Sequence, residues 1–86
     1  MDIIRKVLEV KANDDFTLEC EMENGEVYLY DMSFIHEKDW PMTRPLRKLS
    51  FFKEVFIECG CVTWPNGFNT DGDSIVIRGE LIKKSA

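Results

Sequence analysis

The sequence predicts an α+β fold, in which a small antiparallel β-sheet of about four to six strands carries one short helix packed on one face. Apolar and polar side chains alternate on both sides of Asn24-Gly25, the dipeptide that most strongly favours a β-hairpin. Further runs rich in β-branched residues precede and follow this hairpin. After Pro45, apolar residues recur every three positions, as they do on one face of a helix.

Length and composition indicate a single domain spanning residues 1–86. The chain is 44% hydrophobic and 31% charged, which is typical of globular proteins. It has no apolar run of the ~18 residues that a membrane helix needs. Met1-Asp2-Ile3-Ile4 lacks the charged and apolar pattern of a signal peptide. We therefore expect a cytoplasmic protein that does not enter a membrane.

The first two strands are predicted over residues 3–11 and 16–23, with turn-forming residues between them. A two-residue turn at Asn24-Gly25 then sets the register of the next hairpin, with Met22 opposite Val27. In this register both tyrosines of the third strand lie on the face opposite the core. The ladder is expected to bulge or diverge at the aspartate that follows those tyrosines.

Residues 33–42 are predicted to form a loop with one helical turn. Trp40 in this loop would either cover the core or remain exposed, and the only histidine has no evident nucleophile to activate. Pro45 suits the first turn of a following helix. The apolar face of that helix is formed by Leu46, Leu49 and Phe52. We expect the basic residues beside this face to be solvated.

The most distinctive stretch is Trp64-Pro65-Asn66-Gly67, which follows two short strands predicted over residues 55–59 and 61–64. Val62 and Trp64 lie two positions apart, so they share one face of a strand, and we expect Trp64 to close the core. Pro65 ends the ladder, and Gly67 is expected to adopt a positive φ in a tight turn. The alternative is an exposed loop that presents Trp64 or Asn66 to a partner.

The C-terminal part is less regular. Residues 74–78 are predicted to form a last strand or a short helix capped by Asp73, and residues 81–84 a fraying tail. Asn69, Asp71 and Asp73 have the spacing of calcium ligands. A serine, however, stands where a calcium loop requires glycine, so we expect no calcium site.

The chain offers no recognisable catalytic or metal-binding set. Cys59-Gly60-Cys61 has the wrong spacing for a zinc knuckle, and Cys20 lies among alternating apolar residues. An odd number of cysteines predicts free thiols. Since no nucleophile–base pair or phosphate-binding loop is present in the sequence, we expect no enzymatic activity, no metal and no cofactor.

The charge is unevenly distributed along the chain. The net charge is −5. Residues 1–43 contain eleven acids and four bases, whereas residues 44–86 contain five acids and seven bases. An acidic N-terminal half argues against binding to nucleic-acid phosphates, and it would suit a small basic protein partner. The alternative is a solvated acidic face that keeps the domain soluble.

Several short motifs follow one another along the chain: Glu23-Asn24-Gly25-Glu26, Tyr30-Asp31, Pro45-Leu46, Phe52-Lys53-Glu54-Val55 and Trp64-Pro65-Asn66-Gly67-Phe68-Asn69. This order resembles the bacterial domain-of-unknown-function family 2442 over residues 3–78. The chain departs from the family pattern at Asn69, Thr70 and Gly72, where an aspartate, an apolar residue and a proline are usual. The resemblance implies a small α+β domain, alone or joined to a helix-turn-helix domain, often beside a second protein in a toxin–antitoxin-like pair. No enzymatic activity is established for that family.

We therefore predict a small cytoplasmic accessory or protein-binding module without catalytic activity, in the role of the antitoxin-like member of a two-protein pair. The alternative is a part of a transcriptional regulator or a small-ligand-sensing domain. A small basic protein is the expected partner, without direct contact to nucleic acid, and a homodimer is left open. The candidate binding residues are Tyr30, Asp31, Trp64, Asn66, Gly67, Asn69 and Asp71.

Overall fold

The computed structural model describes residues 5–84, which form two antiparallel sheets and several short helices. The strands are β1 (Val7–Ala12), β2 (Thr17–Met22), β3 (Val27–Asp31), β4 (Phe56–Glu58), β5 (Cys61–Thr63), β6 (Asn69–Thr70) and β7 (Glu80–Lys83). The helices are α1 (Phe34–Glu37), α2 (Leu49–Phe52) and α3 (Gly72–Arg78), with a 3-10 helix at Arg44–Arg47. The α+β class is confirmed, although the strands divide between two sheets where a single sheet with one helix was predicted. Among the described residues, no helix has the length and apolar composition that a membrane crossing requires.

The first sheet has the strand order β1-β2-β3-β7, and the second has the order β4-β5-β6. The sheets adjoin where the Val7 N–H donates to the Gly60 carbonyl at 2.9 Å. β7 pairs with β3, with Tyr28 opposite Leu81. The predicted fraying tail over residues 81–84 is therefore wrong, because the open edge of β3 supplies hydrogen-bond partners for this segment. The start of the predicted first strand lies outside the described residues.

The predicted hairpin register is wrong by one residue. Glu21, rather than Met22, pairs with Val27, so the turn between β2 and β3 has three residues instead of two. The Gly25 N–H donates to the Met22 carbonyl at 2.9 Å, and Gly25 has a φ of 89°. This geometry is a type I turn followed by a left-handed residue. Asn24-Gly25 suits this turn as well as the shorter one, so the dipeptide alone did not determine the register.

The shift by one residue exchanges the two faces of β3. The buried residues of this hairpin are Leu18, Cys20, Met22, Tyr28 and Tyr30. Val27 and Leu29, which the predicted register placed in the core, are only half-buried. The predicted divergence near Asp31 does not occur, because Asp31 pairs with Thr17 and continues the ladder.

Burial raises the pKa of the Cys20 thiol to about 12, so this side chain packs as a small neutral group.

The same three-residue turn occurs at residues 14–16 and 65–67. The third residue of each turn has a positive φ, which is 63° at Phe16 and 93° at Gly67. The predicted backbone angle at Gly67 is therefore confirmed. Between β4 and β5, Cys59-Gly60 forms a two-residue turn in which both residues have a positive φ. Cys59 thus lies in this turn rather than in the predicted fourth strand.

One cluster of buried side chains joins the two sheets to the short helices. Trp64 is completely buried, and its indole N–H donates to the Phe52 carbonyl at 2.9 Å. Its ring lies against Phe52 and Phe68, with ring centroids 5.9 and 5.8 Å away. The prediction that Trp64 closes the core is confirmed. Leu46 and Phe52 are also buried, as the helical spacing predicted.

Candidate functional site

A shallow groove opens beside β3, α1 and α3. It consists of two adjoining cavities of about 240 and 290 Å³, which we together call the aromatic groove. Both cavities are lined by the side chains of Tyr30, Phe34, Trp40 and Arg78. The rest of the lining consists of Asp31, Lys38, Phe68, Asn69, Thr70, Asp71 and Ser74. The groove therefore combines apolar ring surfaces with a guanidinium group that donates hydrogen bonds in a fixed plane.

Trp40 supplies a large exposed aromatic surface at this groove. Its side chain is 51% exposed, and its ring centroid lies 6.2 Å from that of the half-buried Phe34. Of the two alternatives for Trp40, the exposed one is correct. The two tryptophans therefore differ in environment, since Trp64 is fully buried. An exposed tryptophan beside a second aromatic ring is typical of a binding surface.

The loop that carries Trp40 is held in place by two arginines. Arg44 donates two hydrogen bonds to Asp39, at 2.7 and 2.9 Å. Arg47 donates to the carbonyls of Ile35 at 2.7 Å and Lys38 at 3.1 Å. The Arg44 guanidinium lowers the pKa of Asp39, which keeps this carboxylate charged and the pair intact. These two basic residues after α1 thus help to position the groove, while their side chains stay 55% exposed at Arg44 and 36% exposed at Arg47.

Tyr30 and Arg78 meet at the floor of the groove. Tyr30 lies on β3 and is only 3% exposed, and Arg78 is the last residue of α3. Burial raises the pKa of the Tyr30 hydroxyl, and the nearby Arg78 guanidinium opposes that rise. The phenol is therefore neutral at physiological pH and can donate or accept a hydrogen bond.

The two carboxylates at the groove are engaged by backbone groups. Asp71 caps α3 and accepts a hydrogen bond from the Ser74 N–H at 2.8 Å. Asp31 accepts one from the Ser33 N–H at 2.8 Å. The helix cap is therefore Asp71, and the predicted cap at Asp73 is wrong because the helix begins earlier, at residue 72. Both carboxylates have a structural role that reduces their capacity to bind a ligand.

Replacing Asp71 with alanine should lower the free energy of unfolding by ~1 kcal/mol at neutral pH, which is typical of a lost helix cap. The hydrogen bonds from Ser74 hold the pKa of Asp71 below its ordinary value of 3.8, and the charge of Arg78 adds to this. A lowered pKa means that the stabilisation is complete above the ordinary pKa and is lost as the pH falls through the lowered pKa. Urea unfolding at several pH values measures the difference. Asp71→Asn is the control: it keeps the accepting oxygen, so it should stay close to wild type at neutral pH but lose the pH dependence.

The groove brings together four of the seven predicted binding residues, namely Tyr30, Asp31, Asn69 and Asp71. The other three lie elsewhere. Trp64 is buried and presents no side chain to a partner. Asn66 donates to the Met42 carbonyl at 2.8 Å, which ties its turn to the preceding loop. Gly67 closes that turn.

The groove residues that were not among the predicted binding residues include Phe34, Lys38 and Arg78. Each is unremarkable in its local sequence, and only the packing of α1 and α3 beside β3 brings them together. Trp40 was recognised, but its exposure was undecided. Within residues 5–84, no group of three or more potential metal-ligating side chains lies together.

Comparison with known proteins adds no relative. No protein-family model, curated protein or solved structure matches this chain. The resemblance to family 2442 therefore stays a prediction.

Proposed function

We propose that this domain is a small protein-binding module that recognises its partner at the aromatic groove. The exposed Trp40 carries this proposal, because it lines one groove with the half-buried Phe34 and the exposed Arg78. Tryptophan and arginine are among the residue types that most often dominate the binding energy of protein interfaces. The arginine contacts that hold the Trp40 loop support the proposal, since a preorganised surface loses less conformational entropy on binding.

The size of the groove favours a protein segment over an enclosed small molecule. Its two adjoining cavities, of about 240 and 290 Å³, are open to solvent, whereas small-molecule sites are clefts of about 300–1,000 Å³ that bury most of the ligand surface. A shallow groove of this size accepts one or two side chains of a partner. This geometry gives less support to the alternative of a small-ligand-sensing domain. The alternative of a regulator part has no specific observation in its favour.

A second surface favours a basic partner. On the solvent-facing side of the first sheet, Glu9 pairs with Glu21, and the neighbouring Glu19 lies opposite Lys11, so three acids share this face with one base. Like charges directly opposite each other destabilise a sheet, and a cationic partner would relieve this repulsion. The antitoxin-like role in a cytoplasmic two-protein pair would use this face. A homodimer would use either surface.

The groove proposal predicts that Trp40→Ala weakens ligand binding without unfolding the domain. Peptides selected from a displayed random library on the immobilised domain serve as probes. Their affinity should fall at least about tenfold with Trp40→Ala, as expected for an interface anchor. Phe56→Ala is the matched control, because Phe56 is also an exposed aromatic residue, at 41%, but lies on β4 outside the groove lining. Peptides that bind wild type and Trp40→Ala equally would refute the proposal.

A further inference from the structure

Among the arginines of the described residues, Arg78 differs from the other three in its pairing. Within residues 5–84, the ion pairs are Arg5–Asp73, Arg44–Asp39, Arg47–Asp39 and Lys53–Asp14. Neither Arg78 nor Lys38 belongs to any of these pairs. Both side chains line the same cavity beside Trp40. The groove therefore presents two positive charges that have no ion-pair partner among the described residues.

The nearby carboxylates do not neutralise these charges by direct contact. Asp31 and Asp71 each accept a backbone N–H. Asp71 lies close enough to Arg78 for the arginine to lower its pKa, but no ion pair joins the two. Arg78 also lies beside the Tyr30 hydroxyl, but a guanidinium has five N–H donors, so it can still bind a carboxylate through two parallel hydrogen bonds.

We propose that the groove binds a segment of a partner protein in which a carboxylate side chain lies next to an apolar or aromatic one. This inference rests on the proposed function and specifies its partner. The apolar side chain packs against Trp40 and Phe34, and the carboxylate pairs with Arg78, with Lys38 adding a second positive charge. Charge complementarity thus selects an acidic segment at this surface.

The partner segment expected at the groove is negatively charged, whereas the net charge of the domain predicts a positively charged partner. The overall charge of −5 comes in part from the sheet face that contains Glu9, Glu19 and Glu21. Since charges beyond about 8–10 Å are largely screened at physiological salt, the charges of the cavity that holds Lys38 and Arg78 decide what binds there, and Asp31 is the one carboxylate in the lining of that cavity.

Peptides selected on wild type test the inference through their composition and through charge reversal. Trp40-dependent peptides should be enriched in aspartate or glutamate beside an apolar residue. Arg78→Glu should weaken these peptides by about tenfold to a hundredfold, the typical effect of losing a charged hydrogen bond, and their affinity for wild type should fall with added salt. Arg78→Gln, which removes the guanidinium and its charge without introducing a negative charge, should give a smaller loss and provides a second readout if Arg78→Glu unfolds. Lys48→Glu is the matched control, because it makes the same charge change at an exposed lysine outside the groove.

The possible outcomes separate the inference from the proposed function. Trp40-dependent peptides that lack acidic residues, or that bind Arg78→Glu and wild type equally, would overturn the acidic partner while leaving the groove as a binding site. Trp40-dependent peptides enriched in lysine and arginine would also overturn the acidic partner. If no selected peptide depends on Trp40, the proposed function fails, and the inference fails with it.

Discussion

Trp64→Ala should lower the free energy of unfolding by about 3–5 kcal/mol, the usual cost of truncating a buried tryptophan. Trp64 is completely buried, and two aromatic rings, Phe52 and Phe68, pack against it. Its indole N–H also donates to the Phe52 carbonyl, which would lose this partner inside the core. Small domains have a total stability of about 5–15 kcal/mol. The variant should therefore be largely unfolded or should melt at a much lower temperature.

Trp40→Ala is the matched control for this experiment, because it removes the same side chain from an exposed position. Exposed substitutions usually change stability by no more than about 0.5 kcal/mol. Thermal melts followed by circular dichroism should place Trp40→Ala close to wild type and Trp64→Ala far below it. Equal stability of Trp64→Ala and wild type would contradict the structural role of Trp64.

Gly72→Ala should destabilise the domain by about 1–3 kcal/mol, as overpacked substitutions do. A β-carbon at this position would lie 2.3 Å from the Arg5 carbonyl oxygen and 3.1 Å from the Met22 Cε atom. The oxygen belongs to the backbone, so it cannot move aside as a flexible side chain would. Without this contact the same change would stabilise α3, because alanine is favoured over glycine in a helix by about 0.5–1 kcal/mol. The sign of the measured change therefore tests the close approach of the two segments.

Gly67→Ala separates backbone strain from steric contact. The nearest atom to a β-carbon there is the Met42 Cε atom at 3.9 Å, and Gly67 has a φ of +93°. We expect a loss of about 1–2 kcal/mol from the left-handed backbone alone. Urea unfolding of Gly67→Ala and Gly72→Ala measures the cost of the backbone strain and the cost of the steric contact, respectively. A stabilised Gly72→Ala protein would show that α3 does not lie against the Arg5 backbone.

Local patterns predicted much of the fold. The alternation along β2 identified Leu18, Cys20 and Met22 as the inward side chains, and all three are buried. The spacing of two between Val62 and Trp64 predicted their common burial. In each case a side chain's direction follows from its position within one strand, so no distant part of the chain was needed.

The candidate site was only partly predictable. Tyr30 and Asp71 were named as binding residues, but they belong to β3 and to the cap of α3, more than forty positions apart in the sequence. Arg78 was not named, because a single arginine at the end of a short helix has no distinguishing sequence context. The exposure of Trp40 was also undecided, since a tryptophan next to a proline suits either a covered or an open loop.

The sequence by itself determined the α+β class, the existence of the hairpins, the buried position of Trp64 and the positive φ of Gly67. These features depend on alternation and on residues with restricted or permissive backbones, which act within a few positions. The tertiary structure alone decided the register around Asn24-Gly25, the pairing of β7 with β3, and the groove that unites Tyr30, Trp40 and Arg78. These features depend on contacts between distant segments. Asn24-Gly25 suits turns of two different lengths, and burial of the β3 tyrosines accompanies only the longer one.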